Sequence, residues 1–99
     1  MFARVSEVSG PTDQLDRGIA GFHDQVVPAL KSMDGFVRAY LLVDRSSGKT
    51  LSITVWETED AMQASEEAAA NLRASVTSDM GATATIVGHF DVVDAEPSV

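Results

Sequence analysis

An α+β sandwich, in which a four-stranded antiparallel sheet carries two helices on one face, is the fold class this sequence predicts, and three observations predict it. Residues 2–8, 36–44, 50–57 and 83–93 alternate apolar and polar side chains as half-buried strands do. Two stretches between them carry apolar residues at helical spacing. The resulting order, β-α-β-β-α-β, is that of the split βαβ or ferredoxin-like arrangement.

The first strand places Ala3 and Val5 on one face and Phe2, Arg4, Ser6 and Val8 on the other. "SGPT" ends it, and Thr12 or Asp13 can cap the helix that follows. Leu15, Ile19, Phe22, Val26, Leu30 and Met33 form its apolar stripe. Pro28 lacks an N–H, so a kink or break is expected near Val27.

"FVRAYLLVD" and "TLSITVWE" read as a hairpin joined by "RSSGK", with Gly48 at a left-handed loop position. Pairing Arg45 with Lys49 sets Leu42 opposite Ser52, Tyr40 opposite Thr54 and Arg38 opposite Trp56. In that register Val37, Ala39, Leu41, Val43, Leu51, Ile53 and Val55 make an aliphatic face for the helices. The opposite face collects Phe36, Arg38, Tyr40, Leu42, Ser52, Thr54 and Trp56. Thr58 is an N-cap, and Glu59 and Asp60 suit the positive end of a second, Ala-rich helix expected to run to about Arg73 or a little beyond. The domain is expected to span residues 1–93, with a polar tail at 94–99.

A chain of 99 residues buries roughly 60–70% of its unfolded surface, enough for one core with little surplus. Its net charge of −8 argues against nucleic acid or an anionic membrane surface as partner. Cysteine is absent, and "MFARVSEVSG" has neither the basic nor the apolar region of a signal peptide, so a cytoplasmic location is expected. The longest apolar runs fall far short of the roughly 20 residues a spanning helix needs. In the predicted register the uncovered sheet face shows Phe2, Phe36, Tyr40, Leu42 and Trp56, a large patch to leave in water. A homodimer through the sheet faces, enclosing a cavity lined by these residues, is the expected remedy.

The segment "DGFVRAYLLVDRSSGKTLSITVWETEDAMQA", residues 34–64, resembles the antibiotic-biosynthesis-monooxygenase-like domains of the dimeric α+β-barrel group. There a Gly-Phe opens the second strand and a Trp-Glu-Ser/Thr ends the third. The resemblance implies a dimeric α+β barrel and an activity toward a small aromatic or quinol-type metabolite. It also implies oxygenation without metal or flavin, hence no cofactor. Haem-degrading members use an Asn on the first strand and a His on the second helix. Here "FARVSEV" has no Asn, and Ser65 and Glu66 stand where that His belongs, which disfavours haem degradation. Polyketide oxygenases tend to have an Asn and a Tyr where this chain has Ser52 and Met62.

Trp56 matches the family's strand-end Trp and reads either as a cavity wall or as an interface anchor. Arg38 and Arg4, at matching parity, are candidates to hold an enolate, phenolate or carboxylate, or to pair with carboxylates of a second subunit. His89 is the general-base candidate, since imidazole titrates near neutral pH. Arg38 and His89 are thus the catalytic candidates; Trp56, Tyr40, Arg4, Phe36, Leu42, Ser52 and Thr54 are the substrate-binding ones. The alternative is a non-catalytic dimer of the same fold that binds a ligand or fills its cavity. Other motifs fail on context. "GKT" at 48–50 has Val43 where a phosphate loop needs its first Gly, and no ligand spacing points to a metal.

Overall fold

The computed structural model describes residues 1–96, so the last three positions of the expected polar tail lie outside it. Strands β1 (Phe2–Ser9), β2 (Phe36–Val43), β3 (Lys49–Trp56) and β4 (Thr83–Asp91) form one antiparallel sheet in the order β2-β3-β1-β4. β1 and β3 are therefore central. Helices α1 (Leu15–Gly21), α2 (Val27–Lys31), α3 (Glu59–Ala64) and α4 (Glu66–Met80) complete the α+β sandwich that the element order predicts.

The kink expected near Val27 is present as a widened turn. Phe22–Val26 winds as a π-helix between α1 and α2, with the Val27 N–H donating to the Phe22 carbonyl five residues back. Pro28 sits in the first turn of α2, where its missing N–H is harmless. Phe22 and Val26 still reach the interior on the stripe that the sequence marks.

The helix after β3 differs from expectation. It breaks at Ser65 and then runs on to Met80, about two turns past the expected end at or a little beyond Arg73. Thr58 is the N-cap, its Oγ1 accepting the Ala61 N–H at 3.1 Å. At the break the Ser65 hydroxyl donates to the Met62 carbonyl at 2.7 Å.

The hairpin register also differs, by one residue. Asp44, not Arg45, closes the loop against Lys49, with Asp44 N–H donating to the Lys49 carbonyl and Gly48 N–H to the Asp44 carbonyl, both at 2.9 Å. The cause is the Asp44 carboxylate, whose Oδ1 accepts from the Ser46 hydroxyl at 2.7 Å and the Ser46 N–H at 3.0 Å. That local turn holds Arg45–Gly48 as a four-residue loop, and the Ser46 hydrogen bonds keep the carboxyl below its ordinary value. Arg38, Tyr40 and Leu42 consequently pair with Val55, Ile53 and Leu51, and not with Trp56, Thr54 and Ser52. An irregularity at Val37 restores parity, so that Phe36 faces Trp56.

A one-residue shift exchanges the faces. Trp56, Thr54, Ser52, Phe36, Ala39, Leu41 and Val43 turn toward the helices; Arg38, Tyr40, Leu42, Leu51, Ile53 and Val55 turn away. The core beneath the helices is Val26, Leu30, Trp56 and Met62, joined by Phe2, Phe22, Met33, Phe36, Ala39, Ala61 and Leu72. Phe2, Phe36 and Trp56 are therefore interior residues, not the exposed patch that the sequence register suggested.

Gly48 tests the loop. Its φ is +80°, and a Cβ there would sit 2.6 Å from the Gly10 carbonyl oxygen. Gly48→Ala is expected to cost about 1–3 kcal/mol in urea unfolding, from backbone strain plus the clash. An unchanged midpoint would mean that the loop does not hold this register.

Candidate functional site

A sheet face under helices is ordinarily aliphatic, but here its two central strands present hydroxyls and a guanidinium. Arg4 lies opposite Thr54 and Ser6 opposite Ser52, and Arg4, Ser6 and Thr54 are all buried. These four neighbours form a polar floor. Buried polar groups need partners, so their placement has a structural cause to be found.

Arg4 is 1% exposed and is tied into the helix break. Its Nη2 donates to the Met62 carbonyl at 2.7 Å and to Ser65 Oγ at 2.8 Å. The broken helix turn thus presents oxygens that a continuous helix would use internally. Nε lies 2.9 Å from Glu66 Oε2, a charge contact without hydrogen-bond alignment, and Nη1 has no acceptor among the described residues. The guanidinium carbon stands 5.8 Å from the Trp56 ring centroid.

Trp56 is fully buried. Its Nε1–H donates to Thr54 Oγ1 at 3.1 Å, and Phe36 packs edge-on at 5.5 Å. The ring is thus a core pillar that Arg4 faces. It is not on the helix-free sheet surface, where an interface anchor of the kind the sequence suggested would stand.

Beside the pillar, a cavity of about 60 Å³ opens between α1 and the sheet, within a cleft of about 570 Å³ that includes its mouth. Leu15, Ile19, Phe22, Val26, Leu41 and Val43 make its apolar walls. Ser52, Thr50 and Arg73 are its polar members, and Arg73 is the one charged side chain among the described residues that line it. Arg73 is only 17% exposed, and burial, then the nearby charge of Arg4, hold its pKa below the ordinary arginine value, with Glu66 acting the other way.

The predicted site residues separate into two groups. Arg4, Ser52, Thr54, Phe36, Trp56 and His89 lie on the helix side, His89 because it is paired with Arg4 across β1 and β4. His89 Nε2 is 3.4 Å from Glu66 Oε2. Its side chain also lines a second, more open pocket with Phe2, Glu59, Met62, Gln63, Phe90 and Asp91. Arg38, Tyr40 and Leu42 lie on the other face, where Arg38 Nη1 donates to the Tyr40 hydroxyl at 2.9 Å. The sheet therefore stands between Arg38 and His89. Arg73, Ser6, Ser65 and Glu66 were not singled out as site residues by the sequence. Among the described residues no cluster has the makings of a metal site.

Comparison with known proteins identifies this architecture. A family model described as "Antibiotic biosynthesis monooxygenase" matches residues 1–80. The chain belongs to that family. One uncharacterised protein of Mycobacterium tuberculosis is 37% identical over 86 residues, covering 87% of this chain and 38% of the relative. A second from the same organism is 42% identical over 73 residues, covering 74% and 31%. The chain thus spans well under half the length of these relatives. Among solved structures, SnoaB of Streptomyces nogalater, a cofactor-independent oxygenase, superposes with a TM-score of 0.70 at 20% identity, covering 98% of this chain and 97% of its own. MhuD of M. tuberculosis, a haem degrader, gives 0.72 at 20% identity, covering 96% and 98%. A putative antibiotic biosynthesis monooxygenase from Deinococcus radiodurans gives 0.70 at 16%, covering 100% and 99%. At these identities the structural likenesses establish the monooxygenase-type fold. Among the described residues, no helix of the chain is long and apolar enough to cross a membrane.

Arg4→Lys is expected to destabilise the domain by about 2–3 kcal/mol, because one ammonium cannot span the Met62 carbonyl, Ser65 and Glu66 together. Urea unfolding followed by Trp56 emission measures it. A loss below about 0.5 kcal/mol would deny Arg4 this anchoring role.

Proposed function

We propose that this chain is a monooxygenase-like domain that takes a small aromatic or quinol-type metabolite into the cleft between α1 and the sheet. The observation that carries the reading is the cleft itself, whose apolar walls from Leu15 to Val26 and from Leu41 and Val43 enclose three polar members, Ser52, Thr50 and Arg73. Family membership and the oxygenase named among its structural neighbours support the same reading.

In this proposal the substrate anion itself reduces oxygen, without metal or flavin, and the protein contributes orientation, dryness and charge. Ile19, Phe22, Val26 and Leu41 hold the ring, and Ser52 and Arg73 meet its oxygens. His89 lines the neighbouring pocket and reaches this cleft only through Glu66, whose two oxygens lie 3.4 Å from His89 and 3.9 Å from Arg73, so it is assigned to position Arg73 and not to take the substrate's proton directly. Arg38 belongs to a different task. With Tyr40 and Leu42 on its own strand and Phe90 on the far edge strand, it is assigned to a homodimer interface on the helix-free face, where these three residues are 45–50% exposed.

A second reading, a non-catalytic ligand-binding or structural homodimer, is favoured by the complete burial of Trp56, which suffices to explain that residue as packing. Oxygen uptake with a panel of quinols and anthrones separates the two. The oxygenase reading expects uptake that falls at least about tenfold in Ser52→Leu, which fills the cleft, and in His89→Gln. Saturable binding with no uptake from any member of the panel would move the assignment to the binder.

For the interface, Leu42→Asp is expected to convert the dimer to monomer in light scattering, since it buries a charge among apolar neighbours. A wild-type chain that is already monomeric at micromolar concentration would sink the assignment.

A further inference from the structure

The Glu66 carboxylate is engaged on three sides. Arg4 Nε lies 2.9 Å from Oε2, His89 Nε2 3.4 Å from the same oxygen, and Arg73 Nη2 3.9 Å from Oε1. Two guanidinium groups thus flank one carboxylate under the helices. Arg4 Nη2 has two oxygen acceptors, but Nη1 is buried with no acceptor among the described residues. A buried donor on a cation is costlier to leave unsatisfied than a neutral one. Arg73 lines the apolar cleft, where burial and the neighbouring Arg4 disfavour its charge and Glu66 favours it. All this lies inside a chain whose net charge is −8, so the general field repels anions and only this cluster recommends them.

We propose that the cleft binds its ligand through an anionic end, a carboxylate or phenolate, met by Arg73 with Arg4 reinforcing the charge from behind. The proposal rests on the cleft being the ligand site and names the class of ligand: an aromatic acid or an acidic phenol. A guanidinium fork matches a carboxylate in shape as well as charge. Apolar walls then accept the ring, and the Ser52 and Thr50 hydroxyls are available to an oxygen substituent.

The test is calorimetric titration of the full chain with benzoate and with benzamide, its neutral isostere, with Trp56 emission as a second readout. Benzoate is expected to bind at least about tenfold more tightly at low salt, and the preference to shrink as salt is raised. Arg73→Met is expected to abolish the preference, benzoate then binding no more tightly than benzamide, and Arg73→Lys to retain part of it. Near-ultraviolet circular dichroism checks that each variant is folded, with Arg73→Gln as the substitute if Arg73→Met is not. Equal affinity for the two probes, a preference that survives both neutral substitutions, or no benzoate binding up to its solubility limit would overturn the proposal. Benzoate selectivity without oxygen uptake from any quinol would leave this inference standing and remove the oxygenase reading. Uptake from a neutral quinol without benzoate selectivity would do the reverse.

Discussion

The buried guanidinium of Arg4 is the constraint around which the helix layer is arranged. Bringing a cation under a sheet's helices costs several kcal/mol unless oxygens and an anion meet it there. The chain supplies them by breaking its last helix. Ser65 ends α3, the Met62 carbonyl is released toward Arg4, and α4 begins with Glu66 against the same group. The position of the break between α3 and α4 follows from that arrangement. Trp56 closes it from below, where a large aromatic face stabilises a cation that is partly stripped of water.

Element order, the helix stripe and the Pro28 kink were legible in the sequence because each depends on residues close together in the chain. The kink required only Pro28; its form, a widened turn with Val27 bonded to Phe22, is set by packing. Register is a different kind of property, since it hangs on the length of one loop. Asp44 followed by Ser46 is an Asx-turn signal that adds a residue to the loop. Counting that loop as three residues displaced every cross-strand pair and sent Trp56 to the wrong face.

The candidate site was legible in part for the same reason. Arg4, Ser52, Thr54 and Trp56 were recognised together because strand parity groups them whichever face they take. Arg38 and Tyr40 were added only through the displaced register. Arg73 went unsingled because nothing local marks it: an Arg late in an Ala-rich helix reads as solvated until the fold places it beside Arg4 and Glu66. Ser65 is equally silent in sequence, since a Ser within a helix is ordinary and becomes a break only when a buried donor competes for the carbonyl.

The central strands therefore have mixed polarity toward the helices. There they carry Arg4, Ser6, Ser52 and Thr54 among Phe2, Val8 and Trp56; away from the helices, Ala3, Val5, Leu51, Ile53 and Val55. A solitary sandwich gains little from this, since it dries polar groups and leaves Val5, Leu51 and Ile53 partly in water. The arrangement is favourable once each face has its own occupant, a ligand with a polar end under the helices and an apolar surface over the open side. Because adjacent residues of β1 and β3 serve the two faces alternately, shifting either strand to suit one occupant displaces the residues that meet the other. The register of this sheet is then held from both sides, and the cleft and the open face are two readings of one strand alignment.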